Sequence, residues 1–73
     1  MSATEDIDRL LHDAEHAKSG AEMAMRMRDH KSAFVLEFKW NSYRQQAVNL
    51  FLTNPESRWP DPEDCEWPAP IRK

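Results

Sequence analysis

All five prolines of the chain lie between residues 55 and 70, so the last quarter of the sequence cannot form a regular helix or a central strand. This segment contains one pattern twice, as Trp59-Pro60-Asp61-Pro62 and as Trp67-Pro68-Ala69-Pro70. Prolines at this density favour an extended, polyproline-like backbone. We therefore predict a single small domain over residues 1–54, followed by an extended Pro/Trp-rich tail over residues 55–73.

The length of 73 residues allows one domain, whose small core gives it marginal stability. Cys65 is the only cysteine, which excludes an intramolecular disulfide and is typical of a reducing cytoplasm. No apolar run approaches the roughly 20 residues of a membrane span, and the acidic start "MSATEDIDRL" does not have the pattern of a signal peptide. These features predict a soluble cytoplasmic protein.

The charge is mildly acidic, with 13 Asp and Glu residues against 10 Lys and Arg residues and a net charge of −3. Proteins that bind the phosphate backbone of nucleic acids usually carry a basic face. We therefore expect no direct sequence-specific nucleic acid binding. An acidic chain is better suited to a protein partner with a basic docking surface, because opposite potentials accelerate encounter.

The first half of the chain has the period of a helix. Apolar residues recur at spacings of three and four, which predicts a helix over about residues 4–31, and these residues are Ile7, Leu10, Ala14, Ala17, Ala21 and Ala24. Thr4 is the predicted N-cap, and Gly20 is a candidate position for a kink.

The period then changes to two. In "AFVLEFKW" the residues Phe34, Leu36, Phe38 and Trp40 alternate with others, which predicts a strand over about residues 33–40. A second strand over about 46–53 would complete a β-hairpin, giving a small α+β fold with the N-terminal helix packed on the hairpin. The alternative is that residues 43–52 are helical, because Ser42-x-x-Gln45 matches a capping box.

The sequence contains no complete catalytic or metal-binding motif. His12 and His16 are four residues apart on one predicted helix face, but a structural zinc site needs four ligands and a catalytic one three plus water. The interpretation we favour is a solvated helix face. No nucleophile elbow, P-loop or dinucleotide fingerprint is present. We therefore predict a protein that is not an enzyme and has no cofactor and no metal.

The tail offers the candidate binding residues. One tryptophan is expected to fold back onto the small core, and the other to act as an aromatic anchor, since tryptophan is enriched at interface hot spots. Proline neighbours lower the entropic cost of ordering such an arm. The predicted partner-binding residues are Trp59, Trp67, Pro60, Pro68, Glu56, Asp61 and Glu63.

The helix start "MSATEDIDRLL", the aromatic run "AFVLEFKW" and the Trp-Pro tail together resemble the small phage-encoded transcription regulators that bind bacterial RNA polymerase, such as those of Xanthomonas phages. The resemblance extends over the whole chain in length and character. It implies binding to the large subunits of the host polymerase, inhibition of initiation through interference with σ, and read-through of terminators. The expected site of action is the host bacterial cytoplasm, and we expect the chain to be a monomer.

Three alternatives stay open at the level of sequence. The first is another host-enzyme inhibitor that acts as an acidic decoy, which acids on one continuous face would favour. The second is a metal-dependent or thiol enzyme. The third is a helical oligomer, because the alanine-rich stripe has a coiled-coil-like spacing.

Overall fold

The computed structural model describes residues 2–71 and consists of two antiparallel helices, with no strand among these residues. Helix α1 spans Ala3–Arg26 and helix α2 spans His30–Thr53. Residues 55–71 have no regular secondary structure and pack along the helical hairpin. Met1, Arg72 and Lys73, which the predicted domain and tail include, lie outside the described residues.

The N-cap of helix α1 lies two residues before the predicted cap, Thr4. The hydroxyl of Ser2 accepts a hydrogen bond from the backbone N–H of Glu5 at 3.3 Å, so Ser2 is the N-cap. Glu5 and Asp6 lie in the first turn, where the helix dipole favours negative charge. Thr4 lies inside the helix, and its hydroxyl is used by the tail instead, as described below.

A three-residue turn reverses the chain between the helices. Arg28 has a φ of 59°, in the left-handed region, and the N–H of Asp29 donates to the carbonyl of Ala24 at 2.8 Å. This is the Schellman arrangement that closes many helices, with arginine at the position usually taken by glycine. The Asp29 carboxylate accepts from the N–H of Ser32 at 3.2 Å and thereby caps α2. The helix predicted to reach residue 31 therefore ends at Arg26.

The predicted β-hairpin is wrong, because residues 33–40 and 46–53 both belong to α2. The residues of α2 that face the core are Ala33, Leu36, Trp40, Ala47 and Phe51, which recur with the period of a helix. Phe34 and Phe38 are each 71% exposed. The alternation in "AFVLEFKW" does not reflect a strand, because only Leu36 and Trp40 of its four alternating large residues face the core.

The alternative prediction, that residues 43–52 are helical, is confirmed. The reason given for it was wrong, because Ser42 does not start a helix. Ser42 lies in the middle of α2, where its hydroxyl accepts a hydrogen bond from Nε2 of Gln46 at 3.3 Å.

Small residues form the contact between the helices near the turn. The side chains buried there are alanines, namely Ala14, Ala17, Ala21 and Ala24 of α1 and Ala33 of α2. Gly20 lies in the same region, and a β-carbon at this position would be 3.1 Å from Cδ1 of Leu36. Helix α1 continues through Gly20, which thus makes room for a neighbour. Because α2 buries these alanines, they are already used within one chain and do not support the helical-oligomer alternative.

The larger core lies at the opposite end of the hairpin, beside the chain termini. Its buried members are Ile7, Leu11, Ala47, Phe51 and Cys65, of which Cys65 comes from the tail. Leu10, Leu50, Trp59 and Trp67 are half-buried and pack against this cluster. Burying a Leu, Ile or Phe side chain stabilises a fold by about 1.5–3 kcal/mol, so this cluster contributes most of the hydrophobic stabilisation. The tail is therefore a structural part of the core.

Candidate functional site

The tail is attached to both helices where it leaves α2. The N–H and the hydroxyl of Ser57 both donate to the carbonyl of Asn54, at 2.9 and 2.6 Å, and Ser57 is buried. The next residue, Arg58, donates its N–H to the hydroxyl of Thr4 at 3.0 Å. The prolines prevent regular secondary structure in the tail, and these bonds give its backbone groups the partners that a helix or sheet would otherwise supply. They direct residues 59–67 across the N-terminal half of α1.

The two tail tryptophans form one connected unit. The Trp59 ring packs edge-to-face on Phe51, with centroids 5.5 Å apart, and its indole N–H donates to the carbonyl of Trp67 at 3.1 Å. A tight turn lies between them, closed by a bond from the N–H of Cys65 to the carbonyl of Asp61 at 3.1 Å. Cys65 points into the core from this turn. The acidic segment between the tryptophans is thus held as a compact loop on the helices.

Lys18 connects the end of this loop to the hairpin. Its Nζ lies 2.6 Å from a carboxylate oxygen of Glu66, and 5.9 Å from the ring centroids of both Trp40 and Trp67. The hydrogen bond that Lys18 donates to the Glu66 carboxylate raises the pKa of Lys18 above its ordinary value. The Trp40 and Trp67 rings are themselves 6.3 Å apart. Lys18 and Trp40 are therefore part of the surface on which the tail packs. The sequence did not predict this role for either residue.

Folding of the tail brings scattered acidic residues together at one end of the molecule. Glu5 and Asp8 of α1 and Asp61 and Asp64 of the tail line a single shallow cleft of about 640 Å³, with Arg58 among them. Residues 2–14 and 42–71, which form this end, contain nine Asp and Glu against three Lys and Arg. One of those three cations, Arg9, is in an ion pair with Asp6. We call this end of the molecule the acidic end.

The other end of the hairpin has no such excess of acidic residues. Residues 15–41 contain five Lys and Arg against four Asp and Glu. Large apolar side chains are exposed there, namely Met23, Met25, Met27, Phe34, Val35 and Phe38. The three methionines are therefore not part of the core. We call this part of the hairpin the turn end.

An open cleft of about 510 Å³ lies between the helices beside Trp40. It is lined by Lys18, Ala21, Glu22, Met25, Arg26, Glu37, Trp40 and Asn41. Trp40 and Lys18 border this cleft and also contact Trp67, so the cleft begins where the tail's packing ends. Its walls carry two acidic and two basic side chains, so it has no strong charge preference.

The predicted partner-binding residues fall into two groups in the structure. Trp59, Trp67 and Pro60 are half-buried, and both tryptophans pack against the core. The other four predicted residues, Glu56, Asp61, Glu63 and Pro68, are exposed. Neither tryptophan is a fully exposed anchor, so the accessible part of the predicted site is its acidic part.

His12 and His16 lie on one exposed face of α1, with ring centroids 4.9 Å apart and an edge-to-face orientation. Within residues 2–71, no group of three or more His, Cys, Asp or Glu side chains has the arrangement of a metal site. Cys65 is buried. That the chain binds no metal stays a prediction.

Comparisons with known proteins do not assign the chain to a family. No protein-family model matches it, no curated protein matches it, and no solved structure matches it. Within the part of the chain described by the structure, neither helix combines the length and apolar character needed to cross a membrane.

Proposed function

We propose that this chain is a non-enzymatic regulator that binds a protein with a basic surface through its acidic end. The observation that carries the proposal is the cleft in which Glu5 and Asp8 of α1 meet Asp61 and Asp64 of the tail, at an end of the molecule that has nine acids against three cations. A surface of one charge sign raises the rate of encounter with an oppositely charged partner and selects its orientation.

The architecture of the tail supports the same proposal. Holding Asp61 and Asp64 next to Glu5 and Asp8 places like charges close together, which opposes folding. The packing of Trp59 and Trp67 on the core offsets this cost and keeps the acidic loop ordered. A partner then meets a preformed surface and does not have to order a flexible arm, which lowers the free-energy cost of binding.

The partner we propose is bacterial RNA polymerase, as the resemblance to small phage-encoded regulators implies. Surfaces that border the nucleic-acid channels of a polymerase are basic, and an acidic module is suited to them. Binding there would interfere with σ during initiation and let elongating polymerase pass terminators. The site of action would then be the host bacterial cytoplasm.

The direct test is in vitro transcription with purified bacterial RNA polymerase, on templates with and without a terminator. We expect added protein to reduce initiation and to increase read-through. If saturating protein neither binds the polymerase nor changes initiation or read-through, the polymerase proposal is wrong.

A pair of charge variants tests whether the acidic end is the binding surface. Asp61→Asn with Glu63→Gln removes two charges from the exposed tail, and Glu22→Gln with Glu37→Gln removes two from the turn end. At low salt we expect the first variant to bind the polymerase about tenfold more slowly, with little effect from the second. Equal slowing by the two variants would show that only net charge matters.

The acidic end also supports a second candidate function, an acidic decoy that occupies the nucleic-acid channel of another host enzyme. In the sequence the acids are scattered along the chain. Folding brings four of them, Glu5, Asp8, Asp61 and Asp64, to one cleft. A decoy must compete directly with nucleic acid. Binding that persists on a polymerase already engaged in elongation therefore favours the regulator over the decoy.

A further inference from the structure

The outer face of α2 carries a stripe of six residues at alternating spacings of four and three. Phe34 and Phe38 are each 71% exposed and Leu52 is 47% exposed. The α2 outer stripe consists of Phe34, Phe38, Asn41, Gln45, Val48 and Leu52. Its spacing is that of the seam of a coiled coil, and it spans about 27 Å of helix at 1.5 Å per residue.

The stripe is self-complementary when two copies run in opposite directions. Around a two-fold axis near residue 43, position 34 meets 52, position 38 meets 48 and position 41 meets 45. Apolar residues then face apolar residues at both ends, while Asn41 faces Gln45 at the centre. An interface with two-fold symmetry requires this reciprocity. A polar pair at the centre of an apolar seam fixes the register, since a shift by seven residues would place a phenylalanine against an amide.

Charge selects the antiparallel orientation over the parallel one. Residues 15–41 hold five cations against four acids, whereas residues 2–14 and 42–71 hold three cations against nine acids. A parallel pair would place the two acidic ends side by side, where they repel. An antiparallel pair avoids this repulsion, because it places the turn end of each copy beside the acidic end of the other.

We propose that the chain forms an antiparallel homodimer through the α2 outer stripe. The partner is a second copy of this chain, and the contact explains why two neighbouring phenylalanines are exposed in a domain with so small a core. The stripe lies on a different element from the acidic tail, so the dimer proposal and the polymerase proposal can be tested independently.

The first measurement is the solution mass by sedimentation velocity from low micromolar to millimolar protein. We expect a concentration-dependent rise towards twice the monomer mass of 8.6 kDa. Phe38→Lys should weaken association by at least about a hundredfold, because symmetry places the substituted residue in the interface twice. Met27→Lys is the matched control, since Met27 is 75% exposed but lies off the stripe, and it should leave the dimer intact.

Circular dichroism should show that both variants keep the helical content of the native chain. If Phe38→Lys does not fold, Phe34→Lys provides the same test at the adjacent stripe position. A mass that stays at 8.6 kDa up to millimolar protein overturns the proposal. So does a dimer that survives both phenylalanine substitutions.

Disulfide trapping tests the orientation. A mixture of a Phe34→Cys variant with a Leu52→Cys variant should cross-link on mild oxidation, because positions 34 and 52 meet across the axis. Phe34→Cys alone should not cross-link, since its two copies lie at opposite ends of the interface. The native Cys65 is buried, and the unsubstituted chain controls for its reactivity. Efficient cross-linking of Phe34→Cys to itself would indicate a parallel pair and overturn the antiparallel dimer.

Discussion

Replacing Trp59 by alanine is the most direct test of whether the tail belongs to the core. Trp59 covers Phe51 with its ring and reaches back to the Trp67 carbonyl with its indole N–H. The substitution removes both contacts and exposes the core cluster at the point where Cys65 enters it. Because the hydrogen bond joins the two ends of the acidic loop, the loop should loosen as well.

The size of the effect follows from three contributions. A fully buried tryptophan costs about 3–5 kcal/mol when replaced by alanine, and Trp59 is half-buried, so its packing contributes about 2 kcal/mol. The hydrogen bond to Trp67 adds about 1 kcal/mol, and the ring pair with Phe51 about 0.5–1.5 kcal/mol. Domains of this size have about 4–11 kcal/mol of total stability. A loss of about 3.5–4.5 kcal/mol therefore removes a large share of it.

Thermal unfolding followed by circular dichroism measures this loss without relying on tryptophan fluorescence. A loss of 1 kcal/mol lowers Tm by about 4–8 °C in a domain of this length, so Trp59→Ala should lower Tm by about 14 °C or more. Trp59→Phe keeps a ring on Phe51 but loses the N–H and part of the apolar contact of the indole, so it should cost less than Trp59→Ala. Met27→Ala, at an exposed position, serves as the control. If the Tm of Trp59→Ala equals that of the control, the tail does not pack as described.

Three smaller changes test the helix ends and the helix contact. Arg28→Gly should raise stability by about 0.5–1 kcal/mol in urea denaturation, because glycine adopts a φ of 59° without strain; a loss of stability would contradict the Schellman turn. Gly20→Ala should change stability by less than about 1 kcal/mol, because the better helix propensity of alanine is offset by the approach of its β-carbon to 3.1 Å from Leu36. In a Leu36→Ala background, where this contact is absent, Gly20→Ala should give a clear gain relative to Leu36→Ala alone. The side-chain and backbone hydrogen bonds from Ser32 lower the pKa of Asp29, so its contribution to stability is complete above the ordinary value of 3.8 and is lost as pH falls through the lowered folded pKa. Asp29→Asn should remove that component from the pH dependence of unfolding between about pH 2 and pH 6; identical pH profiles for the two proteins would refute it.

Several features of this protein are determined locally and are visible in its sequence. The helical period of Ile7, Ala14, Ala17, Ala21 and Ala24 predicts α1, because side chains on one face of a helix follow the backbone geometry alone. The five prolines likewise exclude regular structure after residue 54, since each one removes a donor and fixes φ. Even the helical alternative for residues 43–52 could be stated from the sequence.

Only the tertiary structure decided the rest, because it depends on which residues meet. "AFVLEFKW" satisfies the period of a strand as well as that of a helix, and α1 resolves the ambiguity by burying Leu36 and Trp40 while leaving Phe34 and Phe38 outside. The acidic end has the same origin. Its carboxylates belong to segments about 50 residues apart, and the bond from Arg58 to Thr4 and the packing of Trp59 on Phe51 bring them together. The spacing of residues in a sequence does not predict contacts between such distant segments, so the acidic end could be identified only from the tertiary structure.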